Sequence, residues 1–412
     1  MYYREPRYFA DFYCIGGECP DNCCHGWLIN WKAEEVEKVK NAPGISQEMI
    51  ELVDRTFVPN VNDNKRYMIE FNDEGNCPFL LNDGYCKIQR ELGAEYLSHT
   101  CMVYPRRYIF ANDILYRFCN MSCYEMMKKM LHDEKAMDLV NYPIKVTEKL
   151  HYVTGNTPEL LSEHPELKYR GELLEFFYEL IADKKRSVED SIVLGALAAQ
   201  KFTQYSEDGN YDLIPDAIKA FKKQFHNAEQ LKKVMEIQPN YSIKLGALAQ
   251  AYNSLKAQLV SLSSLADNTG NLNADLYLQG EKRLIEAFKD RPFCFRNIAL
   301  NLLLELRLPF QFTEVSILEN YSIFVTAYAL LKLISIATSE WANLNETEGR
   351  VSAGSGIGIN FKIKVDTDSF VHQSCALISR DLCHNETNSK NILKFLKDKK
   401  MLSPAYLALL VK

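Results

Sequence analysis

The chain has 412 residues, of which 47% are apolar and 25% charged, the usual balance of a globular protein with a sizeable core. A formal net charge of −6 excludes a broadly basic surface for nucleic acid or an anionic membrane, although a local basic patch stays open. The N-terminus lacks the apolar core of a secretion signal, and the apolar stretches 299–304 and 324–337 fall short of the ~20 residues that span a membrane. We therefore expect a cytoplasmic protein with no nucleic-acid or membrane partner.

Residues 1–125 consist of short runs separated by glycine, proline, asparagine and aspartate. The pattern predicts short helices at 29–40 and 46–56 and short strands at 67–71 and 108–110. Such a loop-rich segment buries little apolar surface by itself, so a bound metal would supply much of its folding free energy.

The cysteines are concentrated in this first segment. In a reducing cytoplasm such density is rarely a disulfide framework, and metal ligation is the leading explanation. Packing of free cysteines as small apolar residues is the less favoured alternative. The candidate ligands are Cys14, Cys19, Cys23, Cys24, Cys77, Cys86, Cys101, Cys119 and Cys123.

The spacing of these cysteines leaves several alternatives open. Adjacent residues such as Cys23 and Cys24 cannot easily point at one atom, which suggests ligands to different irons of a cluster, or one ligand and one neighbour. Soft thiolates in this number fit zinc or an iron–sulfur cluster and exclude calcium or magnesium. The candidate cysteines outnumber the four ligands that one site needs, so either some of them are not ligands or there are two sites. His25 and His99 are further candidate ligands, although supporting or surface roles are commoner for such histidines.

Helical periodicity dominates from about residue 145 onward. Leu173, Phe176, Phe177, Leu180 and Ile181 form one apolar stripe at helical spacing. We therefore predict a mainly α protein, with a small loop-rich, cysteine-ligated metal module at 1–125 and an irregular helical domain at 145–412, in one piece or two subdomains. Similar stripes predict helices within 192–202, 217–234, 243–262, 276–288, 298–306, 316–341, 370–383 and 389–396.

The cysteine motifs resemble those of a known family. The family is that of the CxxCxxxCC zinc- or iron–sulfur-binding proteins, and within it the flagellin lysine-N-methylase branch. Four residues rather than two separate Cys14 from Cys19, which departs from the family pattern. The resemblance covers residues 10–125 well. It is carried by Cys14-x4-Cys19-x3-Cys23-Cys24-His25-Gly26-Trp27, Cys77-Pro78-Phe79-Leu80, Cys86, residues 91–101, Cys101-x3-Pro105-Arg106 and Arg380-x3-His384-Asn385.

The resemblance implies an activity that composition and spacing do not show. It implies a protein-lysine N-methyltransferase that acts on flagellin, its protein partner, with S-adenosylmethionine as the methyl donor. It also implies a [4Fe–4S] cluster held by the cysteines, with zinc as the alternative metal. No residue can be assigned as catalytic.

The sequence contains no independent signature of a donor site. The glycine-rich residues 353–359 follow a polar stretch and precede a strand-like run, so they favour a loop or hairpin over the turn of a doubly wound fold. No cysteine stands at position 26, which departs from the Cys-x3-Cys-x2-Cys pattern of radical chemistry. Arg106, Arg107 and Arg380 could meet a donor carboxylate, but lone arginines are more often structural.

A second class of function remains open, namely a metal-binding module without catalytic activity that docks a partner through its helical lobe. The two interpretations differ in what they predict near the cysteines. A methyltransferase needs a concave, partly apolar pocket there, whereas the binding module needs only a filled core and an exposed apolar patch elsewhere.

Overall fold

The computed structural model describes residues 2–24, 29–60, 63–73, 75–112, 114–143, 153–154, 158–225, 227, 232, 236–255, 260–345, 351–353, 357–359 and 367–412. Within these residues the predicted mainly α class is confirmed. The N-terminal part nevertheless contains more strand than the sequence indicated.

The elements of the N-terminal part alternate between strands and short helices. Its strands are β1 (Tyr2–Pro6), β2 (Asn30–Lys32), β3 (Phe57–Asn60), β4 (Asp63–Ile69), β5 (Arg106–Ala111), β6 (Ile114–Cys119), β7 (Leu139–Pro143) and β8 (Val153–Thr154). Its helices are α1 (Arg7–Ala10), α2 (Ala33–Lys40), α3 (Gln47–Thr56), α4 (Lys87–Glu91), α5 (His99–Val103) and α6 (Tyr124–His132).

The strands of the N-terminal part form two separate sheets. The larger sheet has the order β7-β1-β6-β5-β8, in which β1 pairs in parallel with β6 and antiparallel with β7. The smaller sheet has the order β2-β4-β3 and is antiparallel throughout. Pairing of β1 with strands more than 100 residues away follows no local sequence signal, which is why the sequence did not predict it.

The rest of the described chain is almost entirely helical. Only a short hairpin of β9 (Val351–Ala353) and β10 (Ile357–Ile359) interrupts it, which confirms the hairpin expected for the glycine-rich segment. The helices are α7 (Pro158–Glu163), α8 (Arg170–Ala182), α9 (Val188–Glu207), α10 (Ile214–Gln224), α11 (Tyr241–Ser254), α12 (Ala274–Ala287), α13 (Cys294–Glu305), α14 (Ile317–Asn345), α15 (Thr367–Ile378), α16 (Glu386–Asp398) and α17 (Pro404–Val411).

A small apolar core lies between the three-stranded sheet and helices α2 and α3. Trp31 is its centre, with its ring edge-on to Phe57 at 4.9 Å between centroids. Trp31 points inward from β2, which explains why the predicted helix at 29–40 begins only at Ala33. Helix α3 begins as predicted, because the Ser46 hydroxyl accepts the Met49 N–H at 3.1 Å and caps it. We call this region the small core.

A large core is built around helix α14. This helix packs against α9, α12, α15 and α17, and its apolar side chains face partners all round. By length and composition alone, Ile317–Glu340 could cross a membrane, but 89% of its most apolar window is buried inside the protein. The expected buried helix is therefore confirmed, and it is longer than the apolar stretch 324–337 suggested.

The large core also takes in much of the N-terminal part. Residues from α1, β5, β6 and α6 pack in the same cluster as the helices of the C-terminal part. The small core, by contrast, contains only residues between positions 24 and 101. The division of the chain into domains at 1–125 and 145–412 stays a prediction.

Two glycines in helices offer a matched test of the large-core packing. A Cβ on Gly195 of α9 would overlap the hydroxyl of Tyr321, which donates to the Ile192 carbonyl at 2.9 Å. A Cβ on Gly246 of α11 would meet nothing within 4 Å. We expect Gly195→Ala to lower the free energy of unfolding by about 1–3 kcal/mol. Gly246→Ala should raise the free energy of unfolding by up to about 1 kcal/mol. Equal effects of the two substitutions in chemical denaturation would contradict the close contact between Gly195 and Tyr321.

Candidate metal centre

A cavity of about 270 Å³ lies where the small core meets the large one. Its apolar lining includes Phe12, Phe79, Leu97 and Met102. Eight of the nine candidate ligands border it, although they are spread over more than 100 residues of sequence. They are Cys14, Cys19, Cys23, Cys24, Cys77, Cys86, Cys101 and Cys123.

Cys119 is placed differently from the other candidate ligands. It is fully buried in the large core at the end of β6 and does not line the cavity. Its N–H donates to the Tyr8 hydroxyl at 2.8 Å, and its carbonyl accepts from Asn301 at 2.9 Å. These bonds fix the backbone just before Cys123. The role of Cys119 as a ligand stays a prediction.

Backbone hydrogen bonds hold the cysteines of the small core in place. The Cys77 N–H donates to the Cys24 carbonyl at 2.8 Å, which joins the two groups of cysteines that the sequence separates. Cys86 follows a tight turn, and its backbone forms an isolated antiparallel β-bridge with that of Leu80. The Ser98 hydroxyl caps α5 by accepting the Cys101 N–H at 3.0 Å, and this fixes the first turn that carries Cys101.

The loop of residues 14–24 depends on its paired glycines. A Cβ on Gly17 would collide with the backbone of Asp83 and the ring of Tyr85, so only glycine allows this close approach. The Gly16 N–H points at the Cys14 sulfur at 3.4 Å. The Cys19 thiol donates to the Asp21 carbonyl at 3.3 Å. The loop is therefore packed against the turn that precedes Cys86.

The thiols differ in how readily they ionise. Burial raises the pKa of Cys19 and that of Cys77 to about 12. The hydrogen bond between Cys23 and Cys24 lowers the pKa of Cys23 and raises that of Cys24, and the charge of Arg380 also lowers the pKa of Cys23. Most cavity cysteines are consequently neutral thiols, and each would release a proton if its sulfur bound a metal.

The C-terminal helices reach the cysteine loop through Asp21. Its side chain is 1% exposed and lies 3.7 Å from Arg380 Nη2 and 3.9 Å from His372 Nε2. Arg380 belongs to a π-helical turn, Ser379–Cys383, that follows α15. Such turns often occur at functional sites. Burial lowers the pKa of His372 to about 4, so its imidazole is neutral and Arg380 supplies the positive charge that faces Asp21.

Glu305 provides a second link between the two parts of the chain. At the end of α13 it is 5% exposed and accepts the Met121 N–H at 3.0 Å. Its other oxygen accepts from the Ser379 hydroxyl and lies 3.2 Å from His384 Nε2. The carboxylate thus joins the segment that carries Cys123 to the π-helical turn.

Sequence reasoning identified some neighbours of the cavity and missed others. Arg106 lines it, with its guanidinium 4.9 Å from the centre of the Phe12 ring. Asp21, His372 and Glu305 were missed, because nothing local distinguishes them from other acidic or histidine residues.

The remaining predicted residues lie in other positions. The backbone N–H of His99 donates to Glu35 at 2.8 Å, and ligation by the His99 ring stays a prediction. His25 lies outside the described residues.

The residues around the cavity suit a thiolate-bound metal. A cavity of this size with soft sulfur donors on its walls matches zinc or iron–sulfur chemistry rather than a hard cation. Among the described residues, no three histidine, cysteine, aspartate or glutamate side chains already surround a single ion position. A bound metal would have to draw the sulfurs together, as expected where binding and folding are coupled.

If the cavity binds a metal, we expect Arg380→Ala to weaken its retention, because Asp21 would lose the charge that holds the cysteine loop in place. Loss of such a supporting partner typically costs 10–100-fold in metal affinity, so release to a chelator should accelerate by about this factor. Arg380→Lys keeps the charge and should behave more like the wild type. Unchanged release from Arg380→Ala would show that the ion pair does not position the loop.

Comparisons with known proteins match most of this chain. The sequence profile of the FliB lysine N-methylase C-terminal domain matches residues 174–410, which fall in the helical part. The Lysine-N-methylase proteins of Salmonella choleraesuis (strain SC-B67) and Salmonella typhimurium (strain LT2) are each 26% identical over 363 residues, covering 81% of this chain and 85% of theirs. Flagellar biosynthetic protein FliU of Salmonella muenchen is 32% identical over 136 residues, 33% of this chain and 80% of that protein. No solved structure matches significantly.

Proposed function

Since the chain belongs to the FliB lysine N-methylase family and is a lysine N-methyltransferase, we propose that its substrate is flagellin and its methyl donor S-adenosylmethionine. We further propose that the cysteine-lined cavity holds a [4Fe–4S] cluster and that the protein works in the cytoplasm. The flagellar name of one relative supports a flagellin-related substrate.

The observation that carries this proposal is the cavity itself. The methyltransferase interpretation predicts a concave, partly apolar pocket near the cysteines, and the protein has such a space, of about 270 Å³, there. Three of its exposed large apolar side chains, Tyr13, Tyr85 and Met102, lie at or next to this cavity. They offer a surface on which a protein segment that carries a lysine could dock.

The lining suits the chemistry that methylation of lysine requires. A bond forms between the lysine nitrogen and the methyl carbon, the carbon–sulfur bond of the donor breaks, and the nitrogen gives up a proton. The amine must therefore be neutral when it attacks, and apolar surroundings favour its neutral form by lowering its pKa. Phe12, Phe79 and Leu97 provide such surroundings. Arg106, which also lines the cavity, is a candidate for binding the donor carboxylate.

The cluster would be held by cavity cysteines, since four thiolates are its usual ligands. When bound, it would supply an electron-rich or Lewis-acidic centre next to the donor. Arg380 and Asp21, which hold the loop of residues 14–24, would keep the ligands in position.

The test is methyl transfer under anaerobic conditions. Purified protein is incubated with flagellin and S-adenosylmethionine that carries a labelled methyl group, and the lysines are examined by mass spectrometry. We expect label on lysine side chains of flagellin and none on flagellin whose lysines have been acetylated. Iron, sulfide and broad absorption near ~400 nm would accompany an intact cluster. Absence of label with the cluster intact would disprove the proposed substrate and donor.

A further inference from the structure

Three arginines from distant parts of the chain act on one another electrostatically. Arg107 lies on β5, Arg170 is the first residue of α8, and Arg307 lies two residues beyond the end of α13. Burial and the like charge of Arg307 lower the pKa of Arg170 to about 10. Burial and the like charge of Arg107 lower the pKa of Arg307. We call these three residues the arginine cluster.

Arg170 is the most deeply buried member of the cluster. It is 2% exposed, and its Nε has no hydrogen-bond partner. Its Nη1 reaches the Phe310 carbonyl at 3.5 Å, and its guanidinium lies 5.4 Å from the centre of the Phe310 ring. Among the described residues, the charge that acts on it is the like charge of Arg307 and not that of a carboxylate. Because arginine is almost never fully buried without a counter-charge, this arrangement indicates an anion that the cluster binds.

Arg307 has a backbone conformation that glycine normally adopts. Its φ is 53°, and the N–H groups of residues 307 and 308 close the end of α13 on the carbonyls of Leu304 and Leu303. Glycine is the usual residue at this position of such a helix end. An arginine there costs conformational free energy, which indicates a role of its side chain that outweighs the strain.

Arg107 points away from the cysteine-lined cavity. Its neighbour Arg106 lines that cavity, and successive residues of a strand face opposite sides of the sheet. Arg107 instead acts electrostatically on Arg307 and on the buried Cys383 of the π-helical turn. Both Arg107 and Arg307 are partly exposed, so a ligand from solvent can reach the cluster.

The groups around the cluster leave an excess of positive charge. The charge of Glu386 acts on Arg307, but this carboxylate is exposed. Glu305, which acts on Cys383, already accepts a hydrogen bond on each of its oxygens. Among the described residues, three guanidinium groups thus face one exposed carboxylate. A phosphate group carries a charge of about −1.5 to −2 at neutral pH and would balance the remainder, whereas a carboxylate would balance only part of it.

We propose that the arginine cluster binds a phosphate group, either as inorganic phosphate or as part of a small phosphate monoester. Guanidinium groups donate paired hydrogen bonds to phosphate oxygens, which suits three arginines that approach from different elements. The bound group would connect α8, β5 and the chain between α13 and α14. This site is separate from the cysteine-lined cavity, and the inference does not rest on the proposed methyl transfer.

The test is isothermal titration calorimetry of the full-length protein with inorganic phosphate, in a chloride buffer of constant ionic strength. We expect about one phosphate per chain, because one dianion balances the cluster. Arg307→Gly removes a guanidinium and also relieves the backbone, so it should fold at least as well as the wild type. It should nevertheless bind phosphate at least about tenfold more weakly, since it loses hydrogen bonds to a charged group.

Lys400→Gly is the matched control. Lys400 follows α16 in the same kind of helix end, with a φ of 56°, and it is exposed and not part of the cluster. Both glycine variants should unfold at a higher temperature than the wild type in phosphate-free buffer. Phosphate should then raise the unfolding temperature of the wild type and of Lys400→Gly, and leave that of Arg307→Gly unchanged.

Arg170→Met tests the buried member of the cluster independently, because it removes the charge and keeps a long apolar side chain. We expect a loss in phosphate affinity of at least about tenfold here as well. A wild type that binds no phosphate would overturn the proposal. So would a wild type and an Arg307→Gly variant that bind phosphate equally well.

Two further titrations identify the chemistry of the ligand. Acetate and S-adenosylmethionine carry a carboxylate and no phosphate, so tighter binding of either at the cluster than of phosphate would overturn the choice of phosphate. Glycerol 3-phosphate is a phosphate monoester. If it binds more tightly than inorganic phosphate, and if Arg307→Gly abolishes the difference, then a monoester is the ligand. Equal or weaker binding would support inorganic phosphate.

Discussion

Replacing Lys332 with methionine should lower the free energy of unfolding by up to about 4 kcal/mol, because it leaves two partly buried carboxylates without their counter-charge. Lys332 lies within α14, where its Nζ is 2.8 Å from a Glu189 oxygen and 3.2 Å from a Glu281 oxygen. The Tyr328 hydroxyl also donates to Glu189, at 3.1 Å. Chemical denaturation would measure the loss. Lys289→Met, at the exposed Lys289–Glu286 pair, is the control and should change the stability by less than about 0.5 kcal/mol.

The same group of residues predicts how stability depends on pH. Burial alone would favour the neutral forms, but the mutual charges outweigh it, so the pKa of Glu189 is lowered and that of Lys332 is raised. The stability that Glu189 contributes is fully present above pH 4.5, the ordinary pKa of a glutamate, and is lost as the pH falls below it. The stability that Lys332 contributes is fully present below pH 10.5, the ordinary pKa of a lysine, and is lost as the pH rises above it. Lys332→Met should flatten the pH dependence at both ends; an unchanged profile would contradict the prediction.

Glu305→Ala should have a similarly large effect on stability and a second effect at the cavity. Its carboxylate satisfies the buried N–H of Met121, the Ser379 hydroxyl and His384. Hydrogen bonds to charged groups contribute about 1.5–3 kcal/mol each, so removal of the carboxylate should cost about 3–5 kcal/mol in total. It should also loosen Cys123 and reduce the retained metal.

Glu305→Gln separates these contributions, because glutamine keeps the shape but loses the charge. We expect a smaller loss of stability and metal content closer to the wild type. The measurements are thermal unfolding and metal content on the same preparations. If Glu305→Ala unfolds normally and keeps its metal, then the link between Met121 and the π-helical turn does not support the cavity.

Local patterns predicted the helices well because each apolar stripe needs only its own neighbours in sequence. The stripe at Leu173, Phe176 and Phe177 forms the buried face of α8, and all three side chains are fully or almost fully buried. The start of α3 at Gln47 was also close to the expected position, because Ser46 is a strong cap. The density of cysteines in the first 125 residues also predicted a common site, and eight of them border one cavity.

The features that the sequence did not predict depend on contacts between distant residues. Asp21 meets Arg380 from more than 350 residues away, and neither residue carries a local sign of the other. The parallel pairing of β1 with β6 likewise joins residues that are far apart in the sequence. The π-helical turn at Ser379–Cys383 continues a helical stripe without a break in the pattern, so periodicity alone assigned it to an ordinary helix.

Helix α14 has a consequence for how the chain is made in the cell. Its apolar surface is covered in part by α15, α16 and α17, all of which come from residues 367–412. During synthesis, this long apolar segment leaves the ribosome before the helices that cover it exist. A chain that stops early would therefore display a segment resembling a membrane span, which chaperones and proteases recognise as misfolded. The helices of residues 367–412 thus shield the apolar surface of α14 from that recognition.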